Sequence, residues 1–80
     1  MKINLDYPYN TLWKNGYIVV NPEGRRNVIL FNTQFDRSTV SYARYLMSVK
    51  LGRFLTDQEE VDHKDDNKTN DDPNNLQILT

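Results

Sequence analysis

The chain has 80 residues, a net charge of -1 and no cysteine, which limits it to one small domain with a modest core and excludes disulfides, zinc–cysteine sites and thiol catalysis. No apolar run approaches the roughly 20 residues of a membrane helix, and 1–10 lacks the apolar stretch of a secretory signal, so a soluble cytoplasmic protein without a membrane partner is expected. The charge is unevenly spread: 1–56 holds eight basic and three acidic residues, whereas 57–80 holds two basic and eight acidic ones, a split that suits either a basic half for phosphates and an acidic half for a cation, or simply two solvated faces.

Residues 7–12 read as an irregular lead-in, broken by Pro8 and Asn10. Trp13 to Val20 alternates loosely and ends in the β-branched run Ile18-Val19-Val20, a strand signal. Asn21-Pro22-Glu23-Gly24 is a turn, because proline presets one dihedral and glycine tolerates positive φ. Asn27 to Phe31 is a second strand, so the two predict a hairpin with a somewhat long connection. Asn32 to Arg37 is polar and reads as a loop, and Ser38 to Val40 as a short third strand.

From Tyr42 the period changes. Tyr42, Tyr45, Leu46, Val49 and Leu51 recur at spacings near three and four, the mark of an amphipathic helix. Ser41 is its expected N-cap and Gly52 its stop, with Arg44, Ser48 and Lys50 off the apolar stripe. A polar connection over 56–60 leads to a short strand, Val61-Asp62-His63. A strongly polar loop over 64–75 follows, then a strand over Leu76 to Thr80. The expected domain is α+β, with N-terminal strands in 1–37, a helix region in 38–56 and a strand pair in 61–80. A loop that long between two strands is usually functional.

Residues 61–80 carry the chemistry. Asp62 and His63 stand at the mouth of an Asp/Asn-rich loop that closes with Asn75-Leu76. Aspartate is a hard oxygen ligand for magnesium or manganese, and histidine accepts a proton near neutral pH. Phosphodiester hydrolysis needs both roles. Adjacent strand residues point to opposite faces, so sharing one site would require the pleat to break at His63. An EF-hand starting at Asp65 fails, because Asn70 and Leu76 stand where glycine and glutamate belong. A zinc site needs more ligands than the single histidine supplies, and no nucleophile-elbow motif supports a serine hydrolase. The plain alternative is a histidine capping a surface strand beside a solvated acidic loop.

The run Leu51-Gly52-Arg53-Phe54-Leu55-Thr56, followed by Val61-Asp62-His63-Lys64-Asp65-Asp66-Asn67-Lys68-Thr69-Asn70-Asp71-Asp72-Pro73-Asn74-Asn75-Leu76, resembles the HNH endonuclease pattern of phage and homing type. The helix beginning Ser41-Tyr42-Ala43-Arg44-Tyr45-Leu46 resembles the one that precedes the motif; the likeness covers roughly 38–80 and, more weakly, the strand at 16–20. The resemblance implies a ββα-metal fold and a metal-dependent DNA endonuclease in the cytoplasm, a host's if phage-encoded. It makes His63 the general base, Asp62 a metal ligand, Asn75 the residue that ties the loop and holds the histidine, and Asn70 a structural loop residue. Mg2+ is the expected ion, with Mn2+ as an option.

DNA contacts would fall to Lys64 and Lys68 first, with Arg44 and Arg53 beside them and Arg25, Arg26, Arg37 and Lys50 as further candidates for phosphate binding. No element for reading bases is evident. The family's third motif residue sits in a helix after the second strand, and this chain ends at Thr80, where that helix should begin. A truncated, weakly active or inactive nuclease is therefore expected, the alternative being a non-catalytic nucleic-acid- or protein-binding module on the same scaffold. Without a covering helix, Leu76 to Thr80 would expose apolar side chains and invite a homodimer or a domain swap.

Overall fold

A computed structural model describes residues 1–80. The order is β1 (Lys2–Ile3), a 3-10 turn (Tyr9–Thr11), β2 (Asn15–Val20), β3 (Arg26–Phe31), β4 (Arg37–Ser41), α1 (Tyr42–Leu51), β5 (Glu60–His63), a second 3-10 turn (Pro73–Asn75) and β6 (Leu76–Leu79). The expected hairpin is the centre of a four-stranded antiparallel sheet in the order β1-β2-β3-β4, and β5 and β6 form a separate antiparallel pair. The domain is thus α+β, with one helix and two antiparallel sheets. No helix is long and apolar enough to cross a membrane.

The hairpin register runs from Asn15 opposite Phe31 to Val20 opposite Arg26. Asn21 builds the turn: its Oδ1 accepts hydrogen bonds from the backbone N–H groups of Glu23 at 3.0 Å and Arg25 at 2.9 Å, while Gly24 takes φ 84°. Alternation along β3 buries Val28 and Leu30 on one face. Arg26 shares that face at its end, where the core gives way to the β5–β6 pair.

Ser41 caps α1 as expected, its Oγ accepting from Arg44 N–H at 3.1 Å. Gly52 ends the helix at φ 69°, and Arg53 N–H donates to Ser48 O at 3.2 Å, the bond that closes a helix with a left-handed C-terminal residue. The single apolar stripe is a simplification, because α1 buries two faces. Tyr45 joins Tyr9, Val28 and Leu30 under the sheet, while Ala43 and Met47 pack on Leu76 of β6. Ser48, expected off the stripe, is fully buried. Its Oγ donates to Arg44 O at 2.8 Å and receives the Tyr9 hydroxyl at 3.1 Å, so the polar atom is satisfied. Leu51, expected on the stripe, is exposed.

The helix of this same chain covers β6: Leu76 is buried and Ile78 half-buried, and only Leu79 is open. The apolar face that was to drive dimerisation or swapping is therefore largely occupied. The pleat does not break at His63 either. The β5–β6 ladder runs through Asp62 opposite Gln77 and His63 opposite Leu76, and continues with Lys64 N–H donating to Asn75 O at 2.7 Å.

Candidate active site

A cleft of about 570 Å³ opens between the β2–β3 turn and the start of the loop after β5. Arg25, Arg26 and Asn21 form one wall, and Asp62, His63 and Lys68 the other. Asp62 and His63 share this cleft without a break in the ladder, because it wraps the end of β5 where the loop departs. Gly24 of the turn approaches Thr69 of the loop, so that a Cβ on Gly24 would lie 3.4 Å from Thr69 Cγ2.

His63 is the last residue of β5 and its side chain is 11% exposed. Its Nε2 lies 2.8 Å from Asp71 Oδ1. An ionised carboxylate only accepts hydrogen bonds, so opposite one this ring nitrogen is the donor. In the neutral ring Nδ1 then keeps the lone pair; it makes no hydrogen bond to protein, and no unpartnered side-chain nitrogen or oxygen in the molecule is buried, so it reaches solvent. Asp71 is itself buried, its side chain 4% exposed, and its other oxygen meets Arg26 Nε at 3.3 Å. Nothing in the sequence separated Asp71 from the other aspartates of the loop, since its partners lie on β3 and β5.

Asp62 sits one position before His63 and its Oδ2 accepts from Gln77 Nε2 at 2.8 Å across the strand pair. Its Oδ1 accepts no hydrogen bond and, by the same reasoning, is open to solvent. No group of three or more His, Cys, Asp or Glu side chains gathers anywhere in the molecule. One free carboxylate oxygen in an open polar cleft fits a cation that keeps most of its water, as magnesium does. It does not fit a closed cage.

The loop is organised by Asp65, which the sequence offered only as the start of a rejected calcium loop. Its carboxylate accepts from Asn70 Nδ2 at 2.9 Å, Asn75 Nδ2 at 2.9 Å and Asn67 N–H at 2.8 Å. These donors, Asn70 foremost, hold the Asp65 carboxyl below its ordinary value of 3.8. Asn75 works from both ends, because its Oδ1 also accepts from Asp65 N–H at 3.2 Å and its Nδ2 donates to Asn70 O at 3.0 Å. Asn75 and Asn70 thus tie the loop together, and neither hydrogen-bonds to the His63 ring. Asp66 takes the left-handed conformation at φ 62°, a strained one for a residue with a Cβ and tolerated best by Asp and Asn.

Of the expected DNA-contacting residues, Lys64 and Lys68 are exposed on the loop. Arg44 and Arg53 are occupied elsewhere. Arg44 donates from Nη1 to Glu59 O at 2.7 Å and from Nη2 to Thr56 O at 2.8 Å. Arg53 grips both oxygens of Glu59, at 2.8 and 2.9 Å. Both arginines close the connection between α1 and β5.

Comparison with known families bears on this same stretch. Residues 47–80 match the HNH endonuclease family model. The HNH segment begins within α1 and contains Asp62, His63, the whole Asp/Asn loop and β6. It thus associates this part of the chain with a family of nucleases. The sheet and Arg26 lie outside it. No curated protein and no solved structure gives a significant match to the chain.

Proposed function

We propose that the chain is a metal-dependent DNA endonuclease unit of HNH type that hydrolyses phosphodiester bonds, with the strand–loop–strand of 60–79 as the ββ part of a ββα-metal motif. The observation that carries this reading is His63, in a polar cleft within the HNH segment, with one ring nitrogen held by Asp71 and the other facing solvent. His63 Nδ1 takes a proton from a water molecule. The resulting hydroxide attacks phosphorus, the opposite P–O bond breaks, and the leaving oxygen takes a proton from solvent.

Asp62 would hold Mg2+, with Mn2+ as the substitute. When bound, the ion supplies positive charge to the phosphate and its leaving oxygen. Asn75 and Asn70 keep the loop, and with it the end of β5, in one shape. Lys64, Lys68 and Arg25 offer exposed charge to the DNA backbone, which binds mostly through phosphate neutralisation. Arg44 and Arg53, engaged with Thr56 and Glu59, contribute long-range charge only.

Nicking of supercoiled plasmid by the chain in Mg2+ tests the reading. We expect EDTA to abolish the products and His63→Ala to reduce the rate on the order of 100-fold or more. Equal cutting by the His63→Ala chain would sink the assignment. That no three His, Cys, Asp or Glu side chains are placed to hold a metal together favours a second reading, a non-catalytic nucleic-acid-binding module on the same scaffold. Salt-sensitive DNA binding that ignores metal and yields no products would establish that one instead.

A further inference from the structure

Asp71 lies in the HNH segment, but its counter-charge comes from outside it. Arg26 opens β3, on the face that also buries Val28 and Leu30. Its guanidinium carbon lies 4.9 Å from the centroid of the Tyr42 ring, at the start of α1. The side chain is thus stacked on one element while its Nε meets Asp71 Oδ2 at 3.3 Å on another. With Oδ1 taken by the imidazole at 2.8 Å, each oxygen of the buried carboxylate has one partner.

We propose that Arg26 and Asp71 are positioning residues that fix the tautomer and the orientation of His63, so that Nε2 carries the proton and Nδ1 faces the cleft as the base. The inference rests on the nuclease reading only for its catalytic consequence; the tautomer stands or falls by itself. The chemistry runs through hydrogen-bond polarity. A carboxylate accepts from Nε2–H and cannot donate, so the neutral ring has one acceptable proton arrangement. The Arg26 guanidinium stands beside the far oxygen and gives the buried carboxylate a cationic partner. When Nδ1 takes the proton of a water, the ring becomes a cation with two N–H donors, and its charge faces Asp71. Both partners are needed: without Arg26 one oxygen of the buried acid loses its partner, and without Asp71 the ring is free to turn.

The chain has a single histidine, so 15N-histidine labelling gives one ring and two nitrogen signals. In the parent chain at a pH where the ring is neutral, long-range 1H–15N correlation should show the proton on Nε2. In Asp71→Asn, whose amide can also donate to the ring, the Nδ1–H tautomer should become substantially populated, and nicking should fall on the order of 10- to 100-fold. Arg26→Gln should broaden or mix the ring signals, and Arg26→Lys should restore much of the parent pattern. The backbone amide spectrum of each variant reports whether the fold is kept. A parent ring protonated on Nδ1, or an Asp71→Asn chain that keeps the fold, the tautomer and the rate, overturns the proposal. His63-dependent nicking in that second case leaves the nuclease reading standing. A tautomer switch in a chain that never cuts leaves the positioning role standing and removes the nuclease.

Discussion

Asn75 shows how much one side chain contributes when every polar atom is used. Its amide joins Asp65 and Asn70, and its carbonyl oxygen on the backbone receives Lys64 N–H. Replacing it with alanine removes the side-chain bonds and leaves Asp65 with fewer donors. A net hydrogen bond is worth about 1 kcal/mol, more when one partner is charged, so Asn75→Ala should cost about 2 kcal/mol in urea unfolding. A loop-tying role for Asn75 was implied by the family resemblance, not by the loop composition alone. Asp71 was not visible: six acidic residues crowd 60–72, and only the arrival of Arg26 from far upstream distinguishes this one as buried. The partners of Arg44 and Arg53 were hidden for the same reason. A basic side chain in sequence looks available, and its partners, the carbonyls of Thr56 and Glu59 and the Glu59 carboxylate, are set by how the chain after α1 folds back.

At the scale of elements, the strands and the helix were legible because their signals are local. β-branched runs, an Asn-Pro-Glu-Gly turn, a serine cap and a glycine stop each act over a few residues. Ser41→Ala should therefore destabilise by about 1 kcal/mol, read from the unfolding midpoint. What was hidden needs a second element to define it. β1 is two residues long and exists because β2 offers an edge. Ser48 is buried because α1 lies between two sheets, which no one-sided periodicity reveals. The connection after α1 is held by the Arg53–Glu59 pair, and this pair has a pH signature. Arg53 is the chief cause that draws the Glu59 carboxyl down from 4.5 to about 2. Its contribution is thus fully present above pH 4.5 and is lost as the pH falls toward 2. Thermal melting of the parent should show this acid loss, and Glu59→Gln should be less stable at neutral pH with a flatter acid limb.

The whole molecule has two small hydrophobic clusters. Tyr9, Val28, Leu30 and Tyr45 bind the sheet to one face of α1, and Ala43, Met47 and Leu76 bind the β5–β6 pair to the other. The second is smaller, so the candidate site stands on the weaker half. Met47→Ala should cost about 2–3 kcal/mol, with hydrogen exchange accelerating first at Asp62, Lys64 and Gln77, whose amides bond across the β5–β6 pair, while amides of β2 and β3 keep most of their protection. Val28→Ala, in the larger cluster, should instead speed exchange throughout. Uniform loss in both variants would show that the halves unfold as one unit.

The ion pair between Arg26 and Asp71 has a practical consequence for anyone who would transplant the family segment. Residues 47–80 carry the histidine and its acid but leave behind the guanidinium and the aromatic ring it rests on. Grafted onto a foreign host, that stretch would bring a buried anion with no cation to meet it. A recipient scaffold has to present an arginine of its own at the corresponding strand end, or the graft will arrive with its imidazole unmoored.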